Sequence, residues 1–180
     1  DFALPLTPTF STPVRTADGF TVNVTNYNSN YTFTAIVSPD TATVTKGSAS
    51  GTTLPLTVTG LAAGTSATVT VTVTRTNYAT GTGTQSGTAL EAGLTPTFGS
   101  VTQTADGFKV SVTNYDSNYT FTASTDVGSI TPTTLDADHT ELTVTGLNPG
   151  QPATVSVTTT RTDYNFATAT VSDFADRKST

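Results

Sequence analysis

Apolar and polar residues alternate strictly along several short stretches of this 180-residue chain. In residues 20–24 and 68–74 every second residue is Phe or Val, and the residues between them are Thr or Asn. A period of two places one side of a strand in a core and the other side in water. No stretch has the 3.6-residue period of an amphipathic helix. The pattern therefore predicts an all-β protein made of short strands.

The second half of the chain repeats the first. The stretches 6–10, 16–20 and 29–35 recur 88 residues later, whereas the stretch 56–61 recurs 86 residues later. A slip of two residues must therefore fall between about 36 and 55, in a loop. A repeat of this length suits one complete small domain. We predict two tandem seven-stranded antiparallel β-sandwiches, 1–90 and 91–175, and a tail or linker, 176–180.

The two ends of the chain share a tripeptide. Asp1-Phe2-Ala3 precedes the first repeat, and Asp173-Phe174-Ala175 closes the second. We expect the chain to be a segment of a longer array in which modules follow one another through short junctions.

Two sets of repeated residues are expected to be structural. Asp18-Gly19 and Asp106-Gly107 lie between strands, where glycine can adopt a positive φ in a tight hairpin. Arg75 and Arg161 end a strand on its polar side, where we expect each to pair with a carboxylate or a carbonyl group.

The order of strands and corners resembles the fibronectin type III domain, or a bacterial immunoglobulin-like relative of it. Residues 56–65 and 142–150 resemble strand E and the E–F corner of that family, and residues 69–73 resemble strand F. The chain departs from the family at the corner tyrosine, which is Ala67 and Ala153 here, and it lacks the strand-B tryptophan. The resemblance implies a spacer, stalk or adhesive module of an extracellular protein.

Composition and charge disfavour several classes of function. The formal net charge is −6, which opposes binding to nucleic acid or to an anionic membrane surface. No apolar run has the roughly 20 residues of a membrane-spanning helix, so we expect no membrane insertion. The chain has no Cys and one His, which excludes disulfides, thiolate nucleophiles and a histidine triad in each half. We expect no catalytic residues, no enzyme activity and no cofactor.

Three groups of residues are candidates for binding chemistry. Asp136 and Asp138 form the one acidic cluster and are weak candidates for holding Ca²⁺, since carboxylate oxygens are its usual ligands. Four tyrosines at strand ends beside Asn or Asp are candidates for stacking on sugar rings: Tyr27, Tyr115, Tyr78 and Tyr164. Lys109 is the only lysine that we expect on a strand, and it should point outward, which argues against an isopeptide bond.

The sequence thus predicts a non-enzymatic extracellular repeat segment that acts as a spacer, stalk or adhesin module. We place it in a secreted or cell-surface protein of a bacterium, with neighbouring repeats, copies of itself or cell-surface glycans as partners. Two alternatives stay open. The chain can be a self-assembling filament or surface-layer subunit joined through edge strands or by donation of residues 1–10. It can also be a carbohydrate-binding accessory module.

Overall fold

The structure is a computed structural model that describes residues 3–177. Those residues form no helix long and apolar enough to cross a membrane. They contain fourteen strands, seven in each repeat. The first repeat holds β1 Val14–Thr16, β2 Gly19–Val24, β3 Thr32–Ser38, β4 Thr43–Lys46, β5 Leu54–Thr59, β6 Ser66–Thr74 and β7 Gly81–Thr88. The second holds β8 Thr102–Thr104, β9 Gly107–Ser111, β10 Thr120–Thr125, β11 Ser129–Thr131, β12 Glu141–Thr145, β13 Pro152–Thr160 and β14 Ala167–Phe174.

Each repeat is a sandwich of a four-stranded and a three-stranded sheet. The first has the orders β1-β2-β5-β4 and β3-β6-β7, and the second has β8-β9-β12-β11 and β10-β13-β14. All of the strand pairs are antiparallel. This 4 + 3 order is that of a constant-type immunoglobulin sandwich. The all-β, seven-stranded prediction is confirmed.

The chain divides between Ala92 and Gly93 into two compact units, which we call module one and module two. This boundary lies two residues later than the predicted one. Each module has its own cluster of buried apolar side chains. Asp176 N–H still donates to Thr104 O, so the backbone bonding of module two continues one residue beyond Ala175. Asp1, Phe2 and residues 178–180 of the predicted tail lie outside the described residues.

The core of each module comes from the alternating residues of both sheets. The alternate residues of β2 and β5 in one sheet and of β6 in the other are buried at a few per cent exposure or less, and the residues between them are partly or fully exposed. In module one the fully buried residues include Phe20, Leu56 and Val71, and in module two they include Phe108, Leu142 and Val155. The two-residue period therefore separated core from surface correctly.

The hairpin glycines are needed for a reason that differs from the predicted one. Gly19 and Gly107 are paired with Thr16 and Thr104 across the turn, and neither has a positive φ. A Cβ on Gly19 would collide with the carbonyl oxygen of Val58 on the neighbouring strand β5, and one on Gly107 would collide with that of Val144. These positions require glycine because another strand passes close to the backbone.

The segment ahead of the first strand is bound to its own module by matching hydrogen bonds. In module one Asn26 accepts from Thr9 N–H through Oδ1 and donates through Nδ2 to Thr7 O, at 3.0 and 2.8 Å. Thr25 N–H also donates to Thr9 O at 2.8 Å. In module two Asn114 makes the same pair of bonds to residues 97 and 95, at 2.9 and 2.8 Å.

The modules diverge after their third strand. Val44 pairs with Val58 as Ile130 pairs with Val144, so the two extra residues of module one lie between Ser38 and Val44. This agrees with the predicted position of the slip. Beyond the fourth strand the chain also takes a different path in each module, because Gly47 N–H donates to Pro55 O whereas Leu135 N–H donates to Phe121 O.

Candidate functional site

An arginine and two tyrosines form the same cluster at one end of each module. Arg75 follows strand β6, Tyr78 lies in the connection to β7, and Tyr31 precedes β3. The guanidinium carbon of Arg75 lies 5.2 Å from the ring centroid of Tyr31 and 4.6 Å from that of Tyr78. The two rings meet edge to face at 5.5 Å. The cluster therefore joins the two loops by aromatic and cation–π contacts.

Module two reproduces this cluster closely. The guanidinium carbon of Arg161 lies 5.3 Å from the Tyr119 ring and 4.3 Å from the Tyr164 ring, and the two rings are 5.6 Å apart. Where we predicted a carboxylate or carbonyl partner for each arginine, the structure places two aromatic rings. Such a contact stabilises an exposed site by about 0.5–1 kcal/mol.

A tight turn positions the second tyrosine of each cluster. Tyr78 N–H donates to Arg75 O at 3.1 Å, and Tyr164 N–H donates to Arg161 O at 3.2 Å. The residue before each tyrosine has a positive φ, 67° at Asn77 and 65° at Asp163. Asn and Asp tolerate this conformation better than other residues with a side chain. The Asn or Asp beside the tyrosine thus shapes the turn.

The other predicted tyrosines cover the core. Tyr27 packs on Phe33 with the ring centroids 5.0 Å apart, and Tyr115 packs on Phe121 at 5.2 Å.

Of the predicted binding residues, Tyr78 and Tyr164 therefore lie in the arginine clusters, and Tyr27 and Tyr115 do not. The sequence analysis did not identify Tyr31 or Tyr119 as a member of the cluster. A signal was available in the joint recurrence of these tyrosines and the Thr-Arg-Thr-x-Tyr motif.

A charged loop residue distinguishes the two clusters. Asp116 of module two accepts hydrogen bonds from the backbone and side chain of Asn118, at 2.9 and 2.7 Å. These bonds lower the pKa of the Asp116 carboxyl, and the positive charge of Arg161 lowers it further. Asn28 takes this position in module one and accepts from Asn30 N–H at 2.9 Å.

The carboxylate of Asp136 is hydrogen-bonded to other residues of its own loop, 136–139. Asp136 Oδ1 accepts from the backbone N–H groups of Asp138 and His139, both at 2.9 Å, and lies 2.8 Å from His139 Nδ1. The bond with the His139 side chain is the main reason that the pKa of Asp136 is lowered. No three potential metal ligands converge within residues 3–177. Asp136 thus closes a turn, and Ca²⁺ binding at Asp136 and Asp138 stays a prediction.

Within residues 3–177, two lysines lie on strands, not one. Lys109 on β9 pairs with Glu141 on β12 at 2.9 Å, with both side chains about half exposed, as its outward position predicts. Lys46, which the sequence analysis did not place on a strand, ends β4 and donates from Nζ to the carbonyl oxygen of Phe33 at 2.8 Å. The prediction that Lys109 is the only strand lysine was wrong. Strand β4 follows the two-residue slip between the repeats, so comparison of the repeats did not identify it.

Comparison with known proteins gives fold neighbours of low sequence identity. No protein-family model matches the chain, and no curated protein matches it. The chain is similar to the crystal structure of chicken CNTN1 FN1-FN3 domains, with 13% identity, coverage of 98% of this chain and 69% of that chain, and a TM-score of 0.40. It is also similar to the central fibronectin-III array of RIM-binding protein, with 15% identity, 96% and 70% coverage, and a TM-score of 0.37. Both are arrays of the domain type that the sequence resembles.

Proposed function

We propose that the chain is a non-enzymatic segment of a secreted or cell-surface bacterial protein, in which two sandwich modules act as a spacer, stalk or adhesin unit. The observation that carries this proposal is that each module binds its own first segment. Thr25 N–H donates to Thr9 O and Thr113 N–H donates to Thr97 O, both at 2.8 Å. A module whose first segment is bonded to its own strands does not need the segment of a neighbour in its place.

The contacts of the repeated residues support a structural role, through the main chain at the two aspartates and through the side chain at the two arginines. The carbonyl oxygens of Asp18 and Asp106 accept from the N–H groups of Leu61 and Leu147, both at 2.8 Å, and so join the hairpin to the next corner. The repeated arginines lie over tyrosine rings. The arginine–tyrosine contacts, which are present in both copies, thus support a structural role for the repeated arginines.

The oligomeric state of the full chain tests this proposal against strand donation. We expect sedimentation equilibrium to show a monomer over a wide concentration range. A chain lacking residues 1–9 should also be monomeric, and only module one should lose stability because its Asn26 contacts are gone. An oligomer that dissociates on the same truncation would overturn the spacer and support donation.

Self-assembly through an edge strand is the second candidate function. Strand β3 lies at the edge of its sheet, and its Ile36 side chain is 68% exposed. Exposed edges with apolar residues promote pairing between chains. A concentration-dependent oligomer that survives removal of residues 1–9, and is abolished by Ile36→Lys, would support this alternative.

Glycan binding at the tyrosines is the third interpretation. In each cluster an arginine already lies over the rings, so a sugar would share that surface with a guanidinium group. Two equivalent clusters would give avidity towards a clustered glycan. Binding on a glycan array that is lost in the Tyr78→Ala and Tyr164→Ala double variant would support it.

A further inference from the structure

The third strand of each module has a different neighbour at its outer edge. In module two the segment after β11 turns back onto β10. Ala123 N–H donates to Thr133 O at 2.8 Å, and Leu135 N–H donates to Phe121 O at 3.1 Å. These bonds form an antiparallel bridge between Thr122 and Thr134. The segment thus acts as a short added strand.

The leucine of this segment enters the core of module two. Leu135 is 5% exposed and belongs to the same buried cluster as Phe121. Leu135 therefore holds the segment in place in two ways. Its backbone N–H bonds to the edge of β10, and its side chain packs in the core.

Module one lacks both contributions. Counting from the pairs Val44–Val58 and Ile130–Val144, Ala49 occupies the position of Leu135. The chain there stays beside β5, since Gly47 N–H donates to Pro55 O at 2.9 Å. Within residues 3–177, no segment gives Ala35 N–H the bond that Ala123 N–H makes. The carbonyl oxygen of Phe33 accepts instead from Lys46 Nζ.

A pocket of about 260 Å³ lies beside this open edge. Its wall includes Tyr27, Tyr31, Phe33, Lys46, Ala49 and Leu54. The volume is slightly below the 300–1,000 Å³ of pockets for drug-sized ligands and has room for a side chain of leucine size. The wall is held in place, because Tyr27 N–H donates to Thr52 O at 2.7 Å and Ser50 and Thr53 bond each other through their backbones.

We propose that module one binds an extended peptide that adds antiparallel to β3 and places a leucine-sized side chain in this pocket. The peptide would accept from Ala35 N–H and would donate to Phe33 O, as residues 133 and 135 do in module two. Lys46 would be displaced from that carbonyl, and its ammonium group favours a peptide that carries a carboxylate. Residues 131–137, Thr-Pro-Thr-Thr-Leu-Asp-Ala, have both features.

Backbone pairing at an edge and a pocket for one side chain are the two elements of strand addition. The proposal is independent of the spacer role, because a monomeric spacer and a filament subunit can each carry such a site.

The test is a titration of the ¹⁵N-labelled full chain with a blocked synthetic peptide that copies residues 131–137. We expect saturable shifts at Phe33, Ala35 and Gly47, slower exchange of Ala35 N–H, and unchanged signals in β10. A peptide with Ala in place of its Leu should bind at least about tenfold more weakly, because it loses the apolar burial of one side chain. A peptide N-methylated at its Leu should weaken similarly.

Ala49→Leu is the decisive protein variant, since it builds the residue of module two into the wall of the pocket. It should weaken binding at least about tenfold, whereas Ala63→Leu at another exposed alanine should leave binding unchanged. Absence of shifts at millimolar peptide, equal binding of the Leu and Ala peptides, or equal binding by the Ala49→Leu variant would each overturn the proposal. Shifts confined to module two would overturn it as well.

Discussion

Replacement of Gly107 by alanine should destabilise module two strongly. The added Cβ would collide with the carbonyl oxygen of Val144 and would lie 2.6 Å from its carbon and 3.2 Å from Thr145 Cα. These are backbone atoms of strand β12, which cannot rotate away as a side chain can. Because Gly107 lacks a positive φ, the collision alone determines the cost.

The magnitude follows from what must move. Strands β9 and β12 have to separate where Phe108, which is fully buried, pairs with Val144. Overpacking of this kind costs about 1–3 kcal/mol. The bond from Leu147 N–H to Asp106 O beside it contributes about 0.5–1.5 kcal/mol and would weaken too. We expect a loss of about 2–4 kcal/mol, a large part of the roughly 4–13 kcal/mol of a domain of this size.

Differential scanning calorimetry of the full chain measures this loss. At about 4–8 °C per kcal/mol, the Tm of module two should fall by about 10–30 °C, while module one serves as the internal reference. Gly19→Ala should instead lower the Tm of module one and leave that of module two unchanged. Gly99→Ala is the matched control, since its Cβ would meet nothing closer than 3.5 Å and its φ is ordinary. It should be neutral or stabilising by about 0.4–1 kcal/mol.

Comparison of Gly107→Ala with Gly107→Asn shows whether glycine is required because of the collision or because of the turn conformation. If glycine were required for a positive φ, Asn would be tolerated better than Ala, because Asn adopts that conformation more readily. If the collision is the cause, Gly107→Asn should be at least as unstable as Gly107→Ala. A stable Asn variant, or a loss below about 1 kcal/mol for Ala, would refute the reasoning.

Three smaller effects can be measured on the same chain. Asn114→Ala removes two hydrogen bonds and should cost module two about 1–3 kcal/mol, with faster hydrogen exchange at Thr97 N–H; unchanged exchange would contradict the fastening role. Arg161→Leu should cost about 0.5–2 kcal/mol in urea unfolding, and an equally stable variant would contradict the cation–π contribution. Because the pKa of Asp136 is lowered by folding, its stabilisation is present above the unfolded-state pKa near 3.8 and is lost as the pH falls through the folded-state value. Asp136→Asn should therefore reduce the acid sensitivity of module two in thermal unfolding between pH 5 and pH 2.

The sequence predicted the site less completely than the fold. Tyr78 and Arg75 were each identified, but as a sugar-stacking residue and the partner of a carboxylate or carbonyl. Their contact depends on Tyr31, which lies more than 40 positions earlier in the chain. The turn at Asn77 and the packing of β3 on β6 bring the three together. A distance of this kind is set by strand register, which the alternation of residues does not specify.

By itself the sequence determined those features that depend on residues close together in the chain or on comparison of the two repeats. The two-residue period of residues 68–74 assigns their faces, and comparison of the repeats locates the modules and the slip. The tertiary structure alone decided which backbone passes beside Gly107, and whether the third strand has a neighbour at its edge. Ala49 and Leu135 occupy the same position in the repeat, but a leucine side chain can anchor the chain in the core and an alanine cannot. The local pattern thus produces the same sandwich twice. In module two the segment that contains Leu135 covers the edge of β10, and in module one the edge of β3 stays open.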